Sequence, residues 1–453
     1  MLKVGDVLKN IEAIDYSSEG LGVAKFEHYT LFISSLLKGE VGDVEILYFK
    51  GKDIAFAKTK KIHKFSPHRI TPLCPIHSAC GGCSFQTITY EEELNIKRDK
   101  VKKDLLKIAH IDFKVKDVVG MENYDHYRNK IEIPIKEDKR KKCLIYGLYR
   151  KNSHDIISFS HCLLAKECLE IALAKVVDIL NNYRVKAYDE RKHDGFIRHI
   201  VLRANERDEM MLTIVTKDDN IPHLDKIVKD VVFNIPNIKS IVLNIQDKKS
   251  NVILGEKEHL LFGDKYLSVQ LLNNKYKVSS KSFLQVNYLM CEKLYTRAIE
   301  LASLNKDDVV LDAYSGIGTI GLSVANKVKH VYGVEIVEDA IEDAKMNMKI
   351  NHIDNASYVC GDAGEYMLHH QDIKFNVVFV DPPRKGLSSS FIDSLFKIKP
   401  KKIIYISCNP STLARDLAIL KDKYNIEAIE PFDMFPRTYH VETICALSFK
   451  GQK

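Results

Sequence analysis

Residues 308–324, DVVLDAYSGIGTIGLSV, open the pattern that decides the fold. HVYGVEI (330–336), ASYVCGDA (356–363), NVVFVDPP (376–383) and KIIYISCNP (402–410) continue it. Each is a short apolar run that ends in polar residues, and helical segments alternate with the runs. Near-continuous apolar strands alternating with helices predict a parallel sheet covered on both faces, hence an α/β fold with a doubly wound, mostly parallel C-terminal sheet. Ligands of such sheets bind beyond the carboxyl ends of the strands, so those ends carry the candidates for function.

The first strand ends in Asp312-Ala313-Tyr314-Ser315-Gly316-Ile317-Gly318-Thr319, where glycines let a ligand approach the backbone at a helix start. Alone, a short glycine loop is weak evidence, because packing also favours one. The second strand ends at Glu335, an acid placed to accept hydrogen bonds from a ribose diol, and the third at Gly361-Asp362. Three such ends in series fit an adenosine-containing ligand, read as S-adenosylmethionine in preference to NAD. The fourth end, Asp381-Pro382-Pro383-Arg384-Lys385-Gly386, carries arginine where enzymes that methylate amino groups place an aromatic residue. The fifth ends Ser407-Cys408-Asn409-Pro410. A cysteine there is often inert packing. This one precedes a helix start, where the dipole is expected to lower a thiol pKa, and it lies on the binding edge.

Outward from this core, residues 1–62 alternate short apolar runs with glycine and charge, which predicts a small antiparallel barrel. Lys50–Arg69 holds seven Lys/Arg and one acid, a local +6 that reads either as a solvated surface or as a phosphate-backbone stripe. Lys136–Lys142, five basic and two acidic, is a second such run. YEEELNIKRDKVKKDLLKIA (90–109) reads as a helix with Leu94, Val101, Leu105 and Ile108 on one face, able to pack on the catalytic domain. A further helix is expected at about 166–182. The domain division is 1–62, 63–262 and 263–453.

The 453 residues allow roughly two to four domains. With 45% hydrophobic and 28% charged residues, ten cysteines and a net charge of +7, the composition excludes a disulfide scaffold and a disordered tail. No apolar run reaches the ~18 residues of a membrane span, and the N-terminus carries charges where a signal peptide needs an apolar core. The expected setting is a reducing cytoplasm, where clustered cysteines mean metal or catalysis more often than disulfides.

Taken in order, SFLQVN (282–287), LDAYSGIGT, YGVE, VDPPRKG, SCNP and RTYHVET (437–443) resemble the RNA uracil-5-methyltransferases, specifically the iron–sulfur-containing 23S rRNA branch, over almost the whole chain. The resemblance implies a Rossmann-like methyltransferase domain, a central α+β domain and an N-terminal TRAM domain, an RNA-binding module of oligonucleotide-binding-fold type. It assigns Gln285, Tyr314, Glu335 and Asp381 to S-adenosylmethionine, Cys408 to the nucleophile and Glu442 to the base. Asp381 could hold either the base or the methyl donor. Thr319 departs from the pattern and is left out of the site. The chemistry needs these residue types. C5 of uracil accepts a methyl group only after a thiolate adds at C6 and creates an enolate. A base must then remove the C5 proton.

Cys74, Cys80 and Cys83 have C-x5-C-x2-C spacing, with Cys162 as a distant fourth. Four thiolates suit zinc or an iron–sulfur cluster, and spacing alone does not choose; the resemblance implies a [4Fe–4S] cluster. His77 and His161 are read as non-ligands, and Cys143, Cys168, Cys291, Cys360 and Cys445 receive no role. The expected partner is 23S rRNA with a single-stranded or extruded uridine, the protein being a monomer with no membrane contact and no obligate protein partner. Bacterial tRNA uracil-5 enzymes look shorter and lack both the barrel and the cluster, but archaeal-like tRNA enzymes carry the cluster, so tRNA is the alternative substrate. A catalytically inactive RNA-binding paralogue and a 5-methylcytosine enzyme are the remaining readings. The first sits poorly with a complete residue set; the second, with Ser-Cys-Asn-Pro in place of a Pro-Cys element.

Overall fold

A computed structural model describes residues 2–150 and 153–451. The N-terminal sheet comprises β1 (Val7–Glu12), β2 (Asp15–Tyr16), β3 (Gly22–Phe26), β4 (Tyr29–Ser34), β5 (Val41–Lys50) and β6 (Ile54–Lys64), in the order β1-β5-β6-β4-β3-β2. Strict alternation in β4 sends Tyr29, Leu31 and Ile33 inward and leaves Phe32 outward, as period-2 patterning requires. The basic run does not leave this sheet: most of it lies within β6. Part of its charge is consumed in pairs, with Arg69 holding the fully buried Glu40 at 2.6 Å and Lys58 and Lys60 bridging to Glu45.

The helix α1 (Tyr90–Ala109) is capped by Thr89, whose side chain accepts from the Glu92 N–H, and it has three glutamates in its first turn, both favourable at an N-terminus. It packs on the C-terminal sheet's helices through Val101, Leu105 and Ala109. Ile108 is exposed rather than on that face. The helix rotates so that Glu93 and Lys97 are buried instead, because partners far away in sequence receive their charges.

The central sheet contains β7 (Lys130–Asp138), β8 (Cys143–Tyr149), β9 (Ile156–Ser158), β10 (Ile197–Ala204), β11 (Met210–Thr216), β12 (Ile238–Ile245) and β13 (Lys257–Gly263). Helices α2 (Glu167–Asn182) and α3 (Leu224–Asn234) share its core. A hairpin of β14 (Leu267–Leu271) and β15 (Asn274–Val278) leads to α4 (Tyr288–Ala302).

The C-terminal sheet is the expected doubly wound one. In chain order it runs β16 (Val309–Ala313), α5 (Thr319–Val324), β17 (His330–Glu335), α6 (Glu338–Ile350), β18 (Ala356–Cys360), α7 (Ala363–His369), β19 (Val377–Val380), α8 (Ser389–Ile398), β20 (Lys402–Ser407), α9 (Pro410–Leu420), β21 (Tyr424–Phe432) and β22 (Glu442–Phe449). The spatial order is β18-β17-β16-β19-β20-β22-β21, with β22 antiparallel beside β20. The order reverses between β16 and β19, and a ligand crevice belongs at such a switch point. Among the described residues, no helix is long and apolar enough to cross a membrane.

Candidate active site

Strand register brings the distant motifs together. Ser407 pairs with Thr443 across the antiparallel β20 and β22, so Cys408, one residue after Ser407, and Glu442, one residue before Thr443, come to the same end of the sheet. They lie close enough for Glu442 to raise the Cys408 thiol. Val380 pairs with Tyr405 on one side and with Ala313 on the other. Asp381, next after Val380, therefore lies beside both the SCNP end and Tyr314. The loop after β19 is fastened to the start of α9. Asn409 caps the helix by accepting from the Ser411 N–H, and its Nδ2 donates to the Arg384 carbonyl at 3.1 Å. Asp416 accepts from the Leu387 N–H and from the Tyr405 hydroxyl. The motifs DPPRKG and SCNP are thus one structural unit.

The electrostatics of this edge are dominated by buried acids. Burial, and then the neighbouring Asp381, push the Glu442 carboxyl up to about 8, while Arg384 pulls it down. Asp381 is partly exposed at its surface yet lies deep among protein atoms, which lifts it to about 7. The thiol of Cys408 is pushed up to about 11 by burial and then by Glu442 and Asp381, with Arg384 opposing. The helix start was expected to lower this thiol. Here desolvation and two acids outweigh the dipole, a partial charge of roughly half an electron.

On the other side of the switch point, Tyr314 has φ +64° and its ring lies 5.6 Å from that of Phe391. Gly316 has φ +53°, and a Cβ there would meet nothing within 4 Å. Glu335 is oriented by backbone: its Oε2 accepts from the Gly316 N–H at 3.2 Å and its Oε1 from Ile336 and Val337. Asp362 caps α7. Gln285 is buried in the loop between β15 and α4, which Asn129 and Arg203 of the central domain hold through the carbonyls of Gln285 and Ser282. Asp312 belongs to the LDAYSGIGT motif. It is buried, accepts from the Gly321 N–H at 2.7 Å, and burial raises its carboxyl to about 7, with Asp381 and Glu335 adding to the shift.

The four cysteines of the spaced motif line one cavity of about 110 Å³. Burial raises the thiols of Cys80, Cys83 and Cys162, and Cys83, pushed up to about 12, feels the other three. Among the described residues no group of three or more His, Cys, Asp or Glu is arranged to hold a metal ion. His161 is 83% exposed at its side chain. Cys291 and Cys445 are fully buried among apolar side chains.

A feature the sequence reading missed lies on the outer face of the N-terminal sheet. Tyr48, Phe56 and Phe32 stack in a row, with centroids 4.6 Å and 5.3 Å apart. Phe32 opens onto a cleft of about 580 Å³ between this sheet and α1, of mixed charge: Lys38, Arg98, Lys100, Lys103 and Lys107 share its lining with Asp15, Glu92, Asp99 and Asp104. Outward-pointing Tyr and Phe on adjacent strands were the available signal.

A doubly wound sheet with a glycine cradle, acids and a thiol at its strand ends defines a Rossmann-like methyltransferase. Residues 89–450 match the tRNA (uracil-5-)-methyltransferase family, and the chain belongs to that family. It is 41% identical over 442 residues to an uncharacterised RNA methyltransferase of Oceanobacillus iheyensis, covering 96% of this chain and 95% of the relative. A Staphylococcus aureus RNA methyltransferase is 42% identical over 447 residues, 98% of each chain. Among solved structures, the Pyrococcus abyssi tRNA (uracil-54, C5)-methyltransferase in complex with S-adenosyl-L-homocysteine is similar with a TM-score of 0.76 at 27% identity, covering 96% of this chain and 99% of that one.

Proposed function

We propose that the protein methylates C5 of a uridine in 23S rRNA through a covalent adduct between Cys408 and C6. The observation that carries this reading is the strand register that brings Cys408 and Glu442 to the same end of the sheet, with Asp381 beside them. Cys408 adds to C6 and makes C5 nucleophilic; S-adenosylmethionine supplies the methyl group. Glu442 then takes the C5 proton, and elimination frees Cys408. With its carboxyl at about 8, Glu442 is protonated in the free chain at neutral pH and, once ionised, is a stronger base than an ordinary carboxylate, which suits this step. Asp381 raises Glu442 and so strengthens it.

The residues around Tyr314 fit the methyl donor. Gly316 leaves open space, Ser315 has a buried hydroxyl without a hydrogen-bond partner, and Ile336 and Val337 present exposed apolar surface just after Glu335. In this reading Gln285, Tyr314, Glu335 and Asp381 hold the cofactor. Cys74, Cys80, Cys83 and Cys162 would hold a [4Fe–4S] cluster. They share one cavity, and four thiolates suit such a group. Visible absorbance of an anaerobic preparation supports the cluster; a colourless one with stoichiometric zinc opposes it. The aromatic row offers base stacking, one of the two requirements of single-stranded RNA binding.

tRNA is the second reading, favoured by the fit to 99% of the Pyrococcus tRNA enzyme, which the N-terminal sheet therefore does not distinguish. The test is tritium release from [5-³H]uridine in rRNA and tRNA, with mass spectrometry of the product. Cys408→Ala is expected to abolish release, and Glu442→Gln to accumulate a denaturation-resistant RNA adduct. Full turnover by the Cys408 variant overturns the mechanism, and modification of tRNA alone overturns the substrate.

A further inference from the structure

Between β21 and Glu442 the chain runs through Asp433–Val441, and this loop is gripped by a buried ion network that the chemistry above leaves unused. Lys97 of α1 donates to Glu93 at 2.7 Å, to Asp433 at 2.5 Å and to the Phe435 carbonyl at 3.2 Å. The Tyr90 hydroxyl donates to the second oxygen of Asp433. The Arg437 N–H donates to Glu93 Oε1 at 2.7 Å, and its guanidinium donates to the carbonyls of Phe85 and Ile88 while lying over the Tyr124 ring. In return, the N–H groups of Ser84 and Phe85, the two residues after Cys83, donate to the Arg437 carbonyl at 2.8 Å and 3.1 Å. Asn287, two residues beyond Gln285, donates to the Met434 carbonyl.

Glu93, Lys97 and Asp433 are fully buried, and Arg437 nearly so. Arg437 holds φ +67°, in the left-handed region that residues other than glycine adopt uncommonly. Buried ion pairs add little net stability compared with apolar packing, but they specify one arrangement. What this network specifies is the path of the chain into Glu442, five residues after Arg437.

We propose that Arg437, with the Glu93–Lys97–Asp433 network, is a positioning residue for Glu442 and ties its placement to the cysteine-bearing segment 74–88. The proposal rests on Glu442 being the base. The segment touches no reacting atom, yet its backbone N–H groups fix the Arg437 peptide. Displacing it moves the base and leaves Cys408, which is held by β20 and α9. The step that suffers is therefore proton removal, not methyl transfer.

The experiment uses the full chain in single turnover, with [5-³H]uridine RNA and a methyl-labelled donor, so that methyl transfer and tritium release are read together. Glu93→Gln keeps its shape and its acceptor oxygen but loses the charge; Arg437→Lys and Arg437→Met grade the cross-link; Ser84→Pro removes an N–H that grips the Arg437 carbonyl. The expected result is methyl transfer within about threefold of wild type and tritium release slowed about tenfold or more, since ångström misplacement of a catalytic group costs that much. Methylated RNA–protein adduct should accumulate, and Lys should partly rescue relative to Met. Parallel loss of both steps, or no change in either, overturns the proposal. Glu442→Gln is the control: if it releases tritium normally, the assignment of the base has failed, which is a different result.

Discussion

Glu442→Gln should make the protein more stable, and increasingly so as pH rises. In the folded chain Glu442 is 3% exposed and its carboxyl is held at about 8, against 4.5 when unperturbed. The native state therefore keeps a proton that the unfolded chain gives up. A raised acid pKa withdraws stability as pH climbs from about 4.5, and the loss levels off above about 8. At about 1.36 kcal/mol per pH unit the full effect is about 5 kcal/mol. At pH 5 less than about 1 kcal/mol of it has developed, and at pH 8.5 nearly all of it has. Gln does not titrate, and any penalty for its unpaired amide is the same at both pH values. Asp381, also raised, is present in both proteins. The stability gap between variant and wild type, from urea unfolding of the C-terminal domain, should widen by about 4 kcal/mol between pH 5 and pH 8.5. A gap that stays constant within about 1 kcal/mol, or that narrows, would refute the claim that Glu442 is buried as a neutral acid.

Alkylation of Cys408, followed by mass spectrometry of its peptide, should be about 100-fold slower at pH 8 than that of an unperturbed cysteine, because its thiol sits at about 11 rather than 9. Glu442→Gln should speed it and Arg384→Ala slow it, since the first removes an acid that raises the thiol and the second a cation that lowers it. Phe56→Ala should weaken binding of single-stranded RNA about 5- to 150-fold, the worth of ~1–3 kcal/mol for one stacked base; it should leave the salt slope unchanged, because no charge is lost. A cationic sulfonium ligand should bind more tightly as pH rises from about 6 to 8.5, releasing protons from Asp381, Glu442 and Asp312, whereas its uncharged thioether analogue should show a much flatter profile by calorimetry in paired buffers.

What the sequence made legible followed from local patterns. The five apolar runs from Val309 to Ser407 became five neighbouring parallel strands because each is short, continuous and followed by a helix signal. The site was legible where a motif sits at a strand end. Pairing is what brings SCNP beside HVE, and register across β20 and β22 does not appear in either motif alone. The direction of the Cys408 shift was illegible for a related reason. A helix start can be read from Asn-Pro, but Glu442 and Asp381 become its neighbours only in three dimensions. Helix α1 shows the same limit. Its charges lie off the apolar face read from the sequence, yet Lys97 is buried because Asp433, 336 residues away, completes its ion pair. In the basic run, Arg69 is likewise spent on Glu40.

Asp312, Asp381 and Glu442 are all raised, and Cys408 with them, chiefly by burial; Asp381 adds to the rise of Asp312, Glu442 and Cys408, and Glu442 to that of Cys408. Such an arrangement lowers stability and has no structural use, because apolar residues of similar volume would pack the strand ends better. It becomes useful when a cation enters. One positive charge among three acids and a thiol favours ionisation of all four, which would supply the thiolate and the base together and only when the methyl donor is present. The loop that carries Arg384 fits the same logic. Its carbonyl is pinned by Asn409 beside the thiol, and its guanidinium opposes the rise of both Cys408 and Glu442. An aromatic residue at that position could stack on a base but could not shift either group.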